Sequence, residues 1–170
     1  MSAVLAPDPR PAPAAGRPRR LALVASKGTL DGAYPPLIMA ATAVSLGWEV
    51  GIFFTFYGLD IIHRKKHRTL KVPSLANPAM PVPIPNLVGV LPGMTAVATW
   101  MMKRWMKRSR LPDVGQFLDI AREGGVRLFA CSTTMGVMGV GEQDLVEGVD
   151  IAGAAAFLDF ASAADVSLFV

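Results

Sequence analysis

Three apolar runs that lack the polar–apolar alternation of a half-buried strand constrain this chain more than anything else in it. They are residues 21–26 (LALVAS), 48–55 (WEVGIFFT) and 126–130 (VRLFA). A strand with one face in water reads polar at every second position, whereas a parallel strand covered on both faces does not. Between the first two runs lie a turn, Ser26-Lys27-Gly28-Thr29, and a helical stretch from about Tyr34 to Leu46, with Pro35 and Pro36 in its first turn and Gly47 as its stop. Strand, helix and strand in that order make a βαβ unit. A second helix is expected to start at Tyr57–Ile62. Further along, 113–123 reads as a helix stopped by Gly124-Gly125, with a short helix near 142–146 and a brief strand near 149–151. The small-residue helix AGAAAFLDFASAA and a last strand, VSLFV, follow. The pattern predicts an α/β three-layer sandwich on a five-stranded parallel sheet, in the flavodoxin-like order 2-1-3-4-5.

The chain of 170 residues has the length of one domain. Residues 1–20 form a Pro- and Arg-rich stretch with no apolar core of a signal peptide, and their composition predicts disorder. Residues 21–170 are expected to fold as a single unit, with a basic, Pro-rich and apolar insertion at about 64–111. The net charge of +4 is unevenly spread. Between Arg64 and Arg110 every charged residue is Lys or Arg, whereas from Leu111 onward nine acids face only Arg122 and Arg127. A basic face of this kind meets something anionic.

Within the insertion, residues 87–102 (LVGVLPGMTAVATWMM) are uncharged and end in KRWMKRSR. A membrane span needs about 20 apolar residues, and this run is shorter and broken by Pro92. From Met94 onward, Met94, Val97, Ala98, Met101 and Trp105 fall on one helical stripe. Three readings stand: a helix packed on its own domain or on a second subunit, an interfacial helix on an anionic membrane or a partner, and a span.

Cys131 closes the third run and is the only cysteine, which leaves no intrachain disulfide. Ser132, Thr133 and Thr134 follow, residue types common at helix starts. A thiol at a strand end that runs into a helix N-terminus meets free N–H groups and the positive end of the dipole, which favour its thiolate. The same residues also suit a small buried hydrophobe. Lys27, Gly28 and Thr29 lack the P-loop pattern, but their N–H groups and the lysine ammonium could hold an anion; an ordinary turn is the alternative. With the first and third strands adjacent, as order 2-1-3-4-5 requires, Lys27 is expected to face Cys131. His63 and His67 stand four apart among cations, a setting that suits a solvated basic face rather than a metal.

Three separated blocks, SKGTLDGAYPPLIMA, GWEVGIFFTFYGLDII and the run from Cys131 (CSTTMGVMGVGEQDLVEGVDIAGAAAFL) to VSLFV, resemble the DsrE/DsrF-like family of small sulfur-relay proteins. The likeness is greatest to its DsrE2-type branch, often labelled peroxiredoxin-like. The resemblance implies homo-oligomers and a cysteine, here Cys131, that carries sulfane sulfur as a persulfide between a rhodanese, a TusA-like carrier and further acceptors. Ser132 and Thr133, with Lys27, Gly28 and Thr29, are the candidate substrate- or anion-binding residues. No cofactor, metal or nucleic acid is expected, and the location expected is the cytoplasm, with a peripheral position at the inner membrane face through residues 87–110. The rival expectation is a non-catalytic membrane-associated or oligomeric interaction module. Relatives commonly carry an aspartate where this chain has Gly136. The peroxiredoxin label finds no support, because a peroxidatic cysteine normally follows a threonine by three residues and Leu128 stands there.

Overall fold

The computed structural model of the chain describes residues 16–73 and 93–170. In chain order the elements are β1 (Arg20–Ala25), α1 (Leu30–Ser45), β2 (Glu49–Phe54), two 3-10 turns (Phe56–Ile61 and Lys66–Thr69), α2 (Met94–Arg108), α3 (Val114–Glu123), β3 (Arg127–Cys131), α4 (Ser132–Met138), a third 3-10 turn (Glu142–Asp144), β4 (Val149–Ala152), α5 (Ala154–Ser162) and β5 (Val166–Phe169). The five strands form one parallel sheet, as their apolar runs predict.

The order within the sheet is not the expected one. It runs β4-β3-β2-β1-β5, so β2 lies between β1 and β3. The chain winds in one direction through four strands, then returns across the sheet to place β5 on the free side of β1. Right-handed crossovers translate this path into layers. The connections that step in one direction put α1 and α3 on the first face, where Leu37, Ala40, Phe117 and Leu118 cover Leu23, Ile52, Phe54 and Leu128. The return step puts α5 on the second face, where Phe157 and Phe160 cover Ala22, Phe53, Phe129 and Cys131. The central β2 is buried from Val50 to Phe54, while the edge strands β4 and β5 are largely exposed. Side chains such as Ile52, Phe54 and Leu128, each 0% exposed, contribute about 1.5–3 kcal/mol apiece by leaving water.

Local chemistry sets the helix ends. Thr29 caps α1 by accepting the Gly32 N–H at 3.3 Å, which starts the helix earlier than expected and moves Pro35 and Pro36 into its second turn. Asp113 and Gln116 form a reciprocal capping box on α3. The helix expected at Tyr57 is instead a 3-10 turn, entered through Phe56 at φ 47°. Two glycines make this turn possible. A Cβ on Gly58 would collide with the Ala25 carbonyl, and one on Gly28 with the Tyr57 carbonyl, so the loops after β1 and β2 meet backbone to backbone.

The described part of the insertion packs on its own domain. Ala98, Met102 and Met106 of α2 rest against the first core, and Thr99 Oγ1 accepts the Val72 N–H at 3.1 Å. The inward stripe is therefore 98, 99, 102 and 106. Val97 and Trp105, which share the expected stripe with Ala98, point outward together with Trp100. No helix among the described residues is long and apolar enough to cross a membrane. Residues 1–15 and 74–92, on which parts of the tail and insertion expectations fall, lie outside the described residues. The end of the expected tail is tied down: Arg17 pairs with Asp165 at 3.0 Å, Arg20 with Glu49 at 2.8 Å, and Arg19 lies over Trp48.

Candidate functional site

Cys131 is the last residue of β3 and itself the N-cap of α4, in extended conformation (φ −66°, ψ 108°). Ser132 and Thr133, expected as caps, are instead the first two helical residues, and both are exposed. The position has a topological reason. Leaving β3, the chain turns to the first face, where Met135 and Val140 join its core; leaving β4, it turns to the second, where α5 lies. The loops part at the carboxyl ends of β3 and β4, and in open parallel sheets such a parting makes the crevice where ligands bind. Cys131 pairs in register with Ala152 of β4, at that parting.

On its other side Cys131 meets β2. Phe54 pairs with Ala130, so Thr55, the next residue, stands beside Cys131 at about the strand spacing of 4.8 Å. Thr55 Oγ1 lies 3.0 Å from Thr134 Oγ1, which belongs to the first turn of α4 and is 3% exposed. Burial pushes the Cys131 thiol up, since the residue is only 8% exposed. The Thr134 hydroxyl and N–H, the Thr55 hydroxyl and the Thr133 N–H act against it, and the net result is a pKa below the ordinary thiol value of 9.0. The sulfur makes no side-chain cap hydrogen bond, so these groups act as oriented dipoles around it.

The structure thus brings Cys131, Ser132 and Thr133 together and leaves Lys27, Gly28 and Thr29 apart. The expected facing of Lys27 and Cys131 rested on adjacent first and third strands. With β2 between them, the strand ends are about 9.6 Å apart, two strand spacings. Lys27 is exposed, Gly28 packs on the Tyr57 carbonyl, and Thr29 is committed to capping α1. Thr55 and Thr134 are site residues that sequence reasoning missed. Thr134 was legible as the third residue after the cysteine; Thr55 became a neighbour only through strand pairing. The two histidines serve their own turn, His67 Nδ1 lying 2.8 Å from the His63 carbonyl. Among the described residues no group of three potential metal ligands forms.

Fold and site together define a class: small open-sheet α/β proteins whose thiol stands at the carboxyl edge of the sheet, ringed by hydroxyl and amide donors. The family described as DsrE/DsrF/DrsH-like matches residues 17–169, and the chain belongs to it. Among its relatives, the sulfur carrier protein DsrE2 of Allochromatium vinosum is 41% identical over 158 residues, 89% of this chain and 98% of the relative. The uncharacterized protein YrkE of Bacillus subtilis is 29% identical over 155 residues, 89% of this chain and 97% of YrkE. The crystal structure of YchN from E. coli superposes with a TM-score of 0.57 at 13% identity, covering 89% of this chain and 99% of YchN, a likeness of fold.

Proposed function

We propose that this protein is a sulfur carrier of a reducing cytoplasm, with Cys131 as the atom-bearing site. The observation that carries the reading is the placement of the chain's one thiol at the parting of the β3 and β4 connections, ringed by donors that favour its anion. The similarity to a protein named as a sulfur carrier supports it. In the proposed cycle the Cys131 thiolate attacks the outer sulfur of a donor persulfide. The new S–S bond forms as the donor's own breaks, and the donor sulfur leaves as a thiolate. An acceptor thiolate then takes the outer sulfur from Cys131 by the same exchange. Rhodanese-like donors and TusA-like acceptors suit this chemistry. The test is mass spectrometry after incubation with a sulfane donor. Wild type gains the mass of one sulfur, which a reductant removes, and Cys131→Ser gains none. Loading of Cys131→Ser would refute the reading.

A second reading concerns association. The outer face of α2 carries Val97, Trp100 and Trp105 at 57%, 63% and 41% exposure, beside Arg104, Lys107 and Arg108. Trp with flanking cations suits the interface of an anionic membrane, where each Lys or Arg near the surface adds about 1 kcal/mol. Phe169, at 73%, and Leu158, at 64%, suit the interface of a homo-oligomer. Vesicle flotation at low and high salt tests the first and light scattering on the eluting species the second. Failure to float on anionic vesicles at low salt removes the membrane part, and a monomeric mass removes the oligomer.

A further inference from the structure

The hydroxyl of Thr134, buried in the first turn of α4, and the half-buried hydroxyl of Thr55 follow a different rule from three hydroxyls inside other helices. Thr42, Ser45 and Thr99 each donate to the carbonyl four residues earlier in their own helices. Thr134 instead meets Thr55, which lies 79 residues away in sequence, at 3.0 Å. The Thr55 backbone is fully engaged, its N–H with the Ala25 carbonyl at 3.0 Å and its carbonyl with the Gly58 N–H at 2.9 Å. Only its hydroxyl is left to act.

Counting protons decides what the pair can do. Each hydroxyl owns one proton, and a 3.0 Å contact between two oxygens uses one of them. One proton therefore remains. Beside a thiol it has only a weak acceptor. Beside a thiolate it has a full anionic acceptor, and charge-assisted hydrogen bonds are about twice as strong as neutral ones. Thr134 lies three residues after Cys131 at the start of α4, the position whose side chain and N–H both look back at the N-cap. Thr55 can then give its proton to Thr134 Oγ1, which leaves the Thr134 proton for the sulfur.

We propose that Thr55 is a positioning residue that acts on Cys131 through Thr134, holding the Thr134 hydroxyl proton toward the sulfur and so favouring the thiolate that accepts sulfane sulfur. The inference rests on the Cys131 chemistry of the proposed function but concerns the free thiol alone. The short chain Thr55 to Thr134 to sulfur polarises along its length, and both of its links are required. Of the two hydroxyls, Thr134 lowers the thiol pKa more than Thr55 does, as its place nearer the sulfur in this chain requires.

The experiment is the pH profile of iodoacetamide alkylation of Cys131 in the full chain, which needs no sulfur donor and therefore stands or fails apart from the relay reading. Thr55→Val keeps the branched shape and removes the proton. It should move the profile up by about one unit, the pKa equivalent of one modest hydrogen bond, and slow alkylation near neutral pH up to about tenfold. Thr55→Ser should restore the wild-type profile. Thr134→Val should move it at least as far as Thr55→Val, and the double variant by less than the sum of the two. An unmoved profile in Thr55→Val, a serine that does not restore it, or additive shifts in the double variant would each overturn the proposal. Because Thr55→Ser keeps the hydroxyl whatever the stability of the valine variants, its profile matching wild type is required in every case.

Discussion

The junction of Gly58 with the end of β1 gives a prediction whose size can be worked from geometry. A methyl on Gly58 would press into the Ala25 carbonyl oxygen and stand 2.8 Å from its carbon and 3.3 Å from the Ser26 Cα. Carbon pairs rest at about 3.5–4.0 Å, so one backbone must retreat by at least about 0.7 Å. Neither can do so freely. The Gly58 N–H is held by the Ser26 and Thr55 carbonyls at 3.1 and 2.9 Å, and Ala25 is paired into β1 with Phe54. Overpacking of this kind costs about 1–3 kcal/mol, and the rigidity of both partners puts Gly58→Ala at about 2–3. For a chain of this size that lowers Tm by about 4–12 °C. Gly136→Ala is the matched control. Nothing lies within 4 Å of its added methyl in α4, and replacing a helical glycine should stabilise by about 0.5–1 kcal/mol. Differential scanning calorimetry of both variants reads the difference. Because the Gly58 turn also holds Thr55, alkylation of Cys131 should slow in Gly58→Ala as well. A Gly58→Ala protein melting within about 2 °C of wild type would refute the argument that the two loops are locked backbone to backbone.

Three further outcomes follow from the same structure. Phe54→Ala, at 0% exposure in the central strand, should cost about 3–5 kcal/mol in urea unfolding, whereas Phe169→Ala, at 73% exposure on the edge strand β5, should leave the monomer's stability nearly unchanged; equal losses would contradict the strand order. Cys131 titrates below its ordinary value in the folded state, so its ionisation adds stability that is complete above the unfolded pKa of 9.0 and disappears as pH falls through the lower folded value. The stability of wild type relative to Cys131→Ser should therefore rise with pH across that window, and a flat difference would mean an unperturbed thiol. Lys27→Met should leave the Cys131 alkylation profile in place, because two strand spacings and about 10 Å of screening length at 0.1 M salt separate an exposed ammonium from the sulfur; a clear upward shift would show that the lysine reaches across β2.

What the sequence determined by itself is what local chemistry decides. Continuous apolar runs at 21–26, 48–55 and 126–130 specify strands covered on both faces, and such strands pair in parallel under helices. The Asp113–Gln116 capping box and the Gly124-Gly125 stop delimit α3. The single cysteine after a strand and before Ser-Thr-Thr marks the candidate site, because strand end and helix start are both written within a few residues of it. The order of the strands was not legible. Parallel pairing uses backbone groups common to every residue, and LALVA fits beside VRLFA as well as beside WEVGIFF. The choice was made by the return of β5 to the free side of β1, a contact between residues 21–24 and 166–169 that no local signal announces. That choice removed Lys27 from the neighbourhood of Cys131 and put Thr55 there instead. It also settled which side of α2 is buried: the stripe at 98, 99, 102 and 106 meets the core, and apolarity alone could not separate it from Val97, Trp100 and Trp105, which face out. Sequence fixes periods and ends because those depend on residues a turn apart; neighbours across a sheet depend on the whole chain's path, and only the tertiary structure holds it.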